Sequence, residues 1–114
     1  MTTGSAPAGE GEDFRLSTDE GPDGPVLRVQ GEVDVYTSPS LRDELYRLID
    51  AGATRVAIDL AGMDFIDSSG LGVFVGALKR IRERSGDLEL RAMQPSTRKV
   101  LEITGLTQVF TIAD

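Results

Sequence analysis

The chain has 114 residues, 39% of them hydrophobic, and a formal net charge of −7. That length suits one domain with a real core, and that charge argues against nucleic acid or an anionic membrane as a partner. The absence of Cys and His rules out disulfides and thiolate metal sites, along with the commonest metal ligand and general base at neutral pH, so neither metal nor cofactor is expected.

After Met1, residues 2–12 are Gly, Ala, Ser, Thr, Pro and Glu with almost nothing to bury, and 1–12 read as a disordered tail. No segment has the basic start and apolar run of a signal peptide, and none approaches the ~20 apolar residues of a membrane helix. A cytoplasmic protein is the expectation, with the domain spanning 13–114. Phe14 and Leu16 alternate with Arg15 and Ser17 as in a strand with one wet face. The Gly21–Pro25 cluster turns the chain, and Val26 to Gln30 resumes strand character, making a hairpin. Gly31 fits a bulge or a close approach, and Glu32 to Tyr36 leads into a loop.

Ser38-Pro39 signals a helix start. Leu41, Leu45, Leu48 and Ile49 follow at helical spacing, and Gly52 is the stop. Val56 to Leu60 is apolar and rich in β-branched residues, the pattern of a central, parallel strand buried on both faces. In the second helix Leu71, Phe74, Val75, Leu78 and Ile81 form one stripe, with basic residues in the last turns. Leu71, at the helix start, is the stripe member expected to face a partner. Leu88 to Met93 alternates as a strand. Pro95-Ser96 opens a third helix through Val100, Leu101 and Ile103, closed by Gly105, and Val109 to Ile112 is a last strand. This order predicts an α/β fold: a mixed, mostly parallel sheet with an antiparallel N-terminal hairpin edge and helices packed on it.

Between the central strand and the second helix lies Asp67-Ser68-Ser69-Gly70-Leu71-Gly72. In α/β sheets such loops face the side where ligands and partners bind. Two readings fit Ser68. In the first it caps the helix, and the glycines allow tight helix–sheet approach. In the second it accepts a phosphoryl group, whose charge a helix N-terminus tolerates. Gly31 to Thr37 enters the first helix on the same side. It reads either as a solvated acidic loop capped by Thr37 or Ser38, or as a contact surface in which Asp34 accepts hydrogen bonds from a partner while Val35 and Tyr36 supply apolar area. A serine hydrolase lacks support: there is no His, and Asp67 stands where Gly-x-Ser-x-Gly needs its first Gly. Walker spacing is absent after Gly70. A receiver domain would need an early acidic cluster and a late Lys that are not evident around Asp59.

Gly31-Glu32-Val33-Asp34, followed by Phe65-Ile66-Asp67-Ser68-Ser69-Gly70-Leu71-Gly72, resembles the double signature of bacterial anti-sigma-factor antagonists, which are STAS domains. Pro95 before a helix, and Ile103-Thr104-Gly105-Leu106 leading to Val109-Phe110, agree with it. The Val-Tyr-Thr run and the basic end of the second helix look like actinobacterial members. The resemblance covers about 14–114; family members usually continue past the last strand, here at Ile112-Ala113-Asp114, into a C-terminal helix, which is either absent from this protein or lies beyond this stretch of chain.

The resemblance implies a non-enzymatic partner switch. The unphosphorylated antagonist binds an anti-sigma factor that is also a serine kinase of the histidine-kinase-like ATPase fold, and a sigma factor is freed. Phosphorylation releases the antagonist, and a PP2C-type phosphatase resets it. The phosphoserine maps onto Ser68, with Ser69 as second candidate. The expected partner surface comprises Glu32, Asp34, Val35, Tyr36 and Thr37 from one loop and Asp67, Ser69, Gly70, Leu71 and Gly72 from the other. A free monomer is expected. The alternative is a STAS accessory subunit of a transporter, or a scaffold in a stress-sensing complex, without a phospho-switch.

Overall fold

The computed structural model describes residues 14–113; the N-terminal tail expected over 1–12 lies outside them. The elements are β1 (Arg15–Gly21), β2 (Gly24–Val33), α1 (Ser38–Asp50), β3 (Arg55–Ile66), α2 (Ser68–Arg82), β4 (Asp87–Arg91), α3 (Pro95–Ile103), a 3₁₀ turn (Leu106–Gln108) and β5 (Thr111–Ala113). Strands β1 to β5 lie side by side in sequence order. Only the β1–β2 hairpin is antiparallel, and the other pairings are parallel. No helix among the described residues is long and apolar enough to cross a membrane.

The strand order dictates where the core lies. Each βαβ crossover advances one strand in the same direction, and right-handed crossovers then put α1, α2 and α3 on one face of the sheet. Burial follows that geometry. Leu27, Val29 and Val33 of β2, Ile58, Leu60 and Met63 of β3, and Leu88 and Leu90 of β4 are fully enclosed. The alternate positions Arg28, Gln30 and Glu32 are exposed, and Asp59, Glu89 and Arg91 are half-exposed. On this wet face Arg28 pairs with Asp19 across the hairpin and reaches Asp59 at 3.7 Å.

Strand β3 is central and parallel as expected, but its second face is only partly buried: Ala57 is 6% exposed there while Asp59 is half-exposed, because no helix lies over that side. It also runs on to Ile66, past Gly62 and Asp64, which interrupt the apolar run in the sequence. The bulge expected at Gly31 is present: the β2–β3 register slips between Gly31 and Glu32, and Gly31 has φ of 93°, a conformation open to glycine and strained for most other residues.

Helix α1 buries Leu41, Leu45, Leu48 and Ile49 as its spacing predicts. The buried stripe of α2 is Gly70, Phe74, Ala77, Leu78 and Ile81, rotated from the expected one. Leu71 and Val75 are only partly buried, because Gly70 turns the first turn of the helix directly onto the sheet. A Cβ at Gly70 would stand 2.6 Å from Val33 Cγ1 and 2.7 Å from Ile66 Cγ1. At the far end of the chain the expected strand starts later, at Thr111. Residues 106–108 form a 3₁₀ turn and Val109 is 41% exposed; the third helix runs through Val100 and Leu101 to Ile103 as expected, with Ile103 74% exposed at its end.

Phe74 is fully enclosed and meets Phe110 edge-on, with centroids 6.4 Å apart. Phe74→Ala is expected to cost about 3–5 kcal/mol, measured by urea unfolding. Gly70→Ala is expected to cost about 1–3 kcal/mol by overpacking against Val33 and Ile66.

Candidate functional site

Two loops meet at the C-terminal edge of β2 and β3. The Asp67 amide donates to the Val33 carbonyl at 3.1 Å, so the strand ends stay tied where the two loops leave the sheet. The loop 34–37 is braced from within. Asp34 Oδ1 accepts from the amides of Tyr36 at 2.9 Å and Thr37 at 3.0 Å. The Thr37 hydroxyl donates to the Glu32 carbonyl at 2.8 Å and accepts from the Asp34 amide at 2.9 Å. The Ser38 amide closes the turn on the Asp34 carbonyl at 2.8 Å.

This bracing changes the reading of two residues. Thr37, expected among the partner contacts, is 6% exposed and serves as an internal strut. It occupies the N-cap position of α1 without a capping bond from its side chain, and Ser38 lies inside the helix. Asp34 has one carboxylate oxygen engaged in the turn; its other oxygen makes none of these bonds. The turn pushes Val35 and Tyr36 outward, 62% and 72% exposed.

In the second loop the cap is Asp67, not Ser68. Asp67 is extended, at φ −110°, and its Oδ1 accepts from the Ser69 amide at 2.9 Å and the Gly70 amide at 3.3 Å. The Ser69 hydroxyl donates to the same oxygen at 2.5 Å. The carboxyl is held below the ordinary aspartate range, first by the Ser69 hydroxyl and then by the Gly70 and Ser69 amides, with partial burial pulling the other way. Both Ser and Asp are good N-cap residues; here the carboxylate takes the amides because it sits one residue before the first turn. Ser68 is thereby left on the outside of that turn, exposed, and its side chain makes no hydrogen bond to any described residue.

The remaining expected residues divide by burial. Gly70 is buried in the helix–sheet contact and offers no surface to a partner, while Leu71 is half-buried and Gly72 exposed. Glu32 is exposed at the strand end beside Phe65, its register partner on β3. Phe65 is 48% exposed and was absent from the expected surface. It follows the irregular stretch Ala61–Asp64, where strict alternation no longer tells which face a residue takes. The available signal was an aromatic directly preceding the Ile-Asp-Ser-Ser run. Val35, Tyr36 and Phe65 thus supply exposed apolar area, and Glu32, Asp34 and Asp67 supply acidic groups. Among the described residues no cluster of His, Cys, Asp or Glu is fit to hold a metal ion.

The STAS domain family profile matches residues 15–114. The anti-sigma-B factor antagonist of Bacillus subtilis is 37% identical over 87 residues, covering 76% of this chain and 79% of that relative. The solved structure of the anti-sigma factor antagonist SpoIIAA in its unphosphorylated form has a TM-score of 0.69 at 25% identity, over 89% of this chain and 87% of that one. The Bacillus cell fate determinant SpoIIAA in its phosphorylated form has a TM-score of 0.68 at 27% identity, over 89% of this chain and 91% of that one.

Because Asp67 has a lower pKa folded than unfolded, its stabilisation is complete above the ordinary aspartate range near ~3.9. It is lost as pH falls through the depressed folded value. The stability gap between the parent and Asp67→Ala, from urea melts, should therefore be present at neutral pH and shrink on acidification. Ser69→Ala should raise the Asp67 pKa, read from its carboxyl carbon by NMR. In the other loop, Asp34→Ala should cost about 1–2 kcal/mol by orphaning two amides, whereas Asp34→Asn keeps an acceptor there and should cost much less.

Proposed function

The chain belongs to the STAS-domain family of anti-sigma-factor antagonists, and from that premise we propose a partner switch whose phosphoacceptor is Ser68. As a member of a regulatory family it acts by binding, not by catalysis. In its unphosphorylated form it binds an anti-sigma serine kinase and so frees a sigma factor. Phosphorylation at Ser68 ends that complex, and a phosphatase restores it. The kinase is of the histidine-kinase-like ATPase fold and the phosphatase of the PP2C type; the cycle runs in the cytoplasm.

The observation that carries the choice of serine is the difference between two neighbours. The Ser69 hydroxyl is committed to Asp67 at 2.5 Å, and transfer to it would break the bond that orders the cap. The Ser68 hydroxyl is exposed and uncommitted, so a kinase reaches it without disturbing the helix. The kinase contact itself is assigned to Val35, Tyr36 and Phe65 as apolar area, with Glu32 and the second carboxylate oxygen of Asp34 as acceptors for basic groups and backbone amides of the kinase.

The same geometry supports a switch by charge. A phosphoserine carries about −1.5 to −2 charges. At Ser68 it would stand among Glu32, Asp34 and Asp67, and Asp67 already occupies two of the helix N-terminal amides that would otherwise receive it. Arg28, Arg42, Arg80, Arg84 and Arg91 pair with other carboxylates. The two loops, 31–37 and 67–72, contain no Lys or Arg, so within them the added charge would be met by like charge and its effect would fall on the partner more than on the fold.

Incubation with ATP and candidate anti-sigma kinases, followed by mass mapping, should place a single phosphate on Ser68. Ser68→Ala should bind the kinase and never release, and Ser68→Asp should bind poorly. Asp34→Asn should weaken kinase binding with little change in melting temperature. A phosphate on Ser69 would refute the assignment of the serine. No phosphate with any kinase, from a folded chain, would favour a transporter-associated or scaffolding role.

A further inference from the structure

Among the described residues Gly72 is the one glycine with neither a positive φ nor any atom within 4 Å of where a Cβ would stand. Gly70 would clash with the sheet, and a Cβ at Gly86 would stand 2.4 Å from the Thr54 carbonyl oxygen. Gly76 lies under the Tyr46 hydroxyl, at 3.1 Å from where a Cβ would be. Gly52 and Gly105 meet nothing, but their φ values are +111° and +77°. Gly72 sits in the second turn of α2 with ordinary helical backbone, is exposed, and a Cβ there would meet no atom within 4 Å. Nothing inside the molecule asks for it, and glycine is the poorest helix former after proline.

Its place in the helix supplies a reason from outside. Gly72 follows Ser68 by four residues, so the two share one face, one turn apart, with about 5–6 Å between such positions. A kinase seated over the Ser68 hydroxyl would have Gly72 as a neighbour on the same helix face. We infer that Gly72 is a point of backbone approach, where the anti-sigma kinase packs directly against the main chain of α2 in space that any side chain would fill. This rests on the kinase-binding reading above and extends it to a steric requirement along the helix. The surface is continuous with that of Ser68, and the occupant is the same kinase.

The requirement makes stability and affinity move in opposite directions. Gly72→Ala adds a side chain into open space and removes a poor helix former, so its melting temperature should rise. Its affinity for the kinase that phosphorylates the parent at Ser68 should fall by about tenfold or more, the scale of inserting atoms into a packed contact. Gly72→Leu should weaken binding further. The pair separates bulk from flexibility. Alanine is the best helix former, so if the kinase needed a loose helix the full loss would appear at alanine and leucine would add none. Calorimetric titration of the parent, Gly72→Ala and Gly72→Leu with that kinase reads all of this. Parent-like affinity in both variants, or equal loss in both, overturns the inference while leaving the switch standing. A parent that binds no anti-sigma kinase overturns both together.

Discussion

The 3.1 Å bond from the Asp67 amide to the Val33 carbonyl is the constraint on which the site depends. It joins the last residue of β2 to the first residue beyond β3, so the two loops leave the sheet from a common point. Gly70 adds to it by letting α2 settle onto Val33 and Ile66, with room for no further carbon. The bulge at Gly31 turns the end of β2 just before that tie. Main-chain geometry fixes the position of Ser68 relative to Asp34, and no long side chain has to be ordered to keep it. Such an arrangement tolerates a new charge on Ser68 because none of the bonds holding it passes through that hydroxyl.

Both loops use an aspartate in the same way. Asp34 and Asp67 each fold one carboxylate oxygen back onto amides two and three residues ahead, the local competition with the backbone that makes Asp frequent at turns and caps. Each ties a loop down and at the same time brings negative potential to the surface. The acidic character that a basic partner would sense is thus built from the groups that order the backbone. Removal of either side chain would therefore disturb loop order and surface charge together, while the amide isostere, which keeps an acceptor oxygen, changes the charge alone.

Most of the architecture could be read from the sequence, because strand alternation and helical spacing are strong signals. Leu41, Leu45, Leu48 and Ile49 needed nothing more, and Gly31 announced its bulge. The failures share a physical origin in tertiary context. The apolar run 56–60 looks the same in a strand covered on one face as on two, and only the strand order shows that all three helices fall on one side. The cap shifted by one residue because Asp67 and Ser68 have similar capping preferences, and which takes the amides depends on where β3 ends. Thr37 seemed a surface residue because its type usually is; the Glu32 carbonyl and the Asp34 amide, which bury it, lie within five residues but require the turn to be known. Phe65 was lost in the irregular end of β3.

The bare outer end of α2 has a consequence for time as well as for binding. With Asp67 holding the cap amides, a phosphate at Ser68, as proposed, would find no internal latch and would stand open to a phosphatase. A phosphate monoester hydrolyses extremely slowly without a catalyst, so the lifetime of that form would be set by the opposing enzyme and not by the fold. The chain would then keep its mark for as long as no phosphatase reached it.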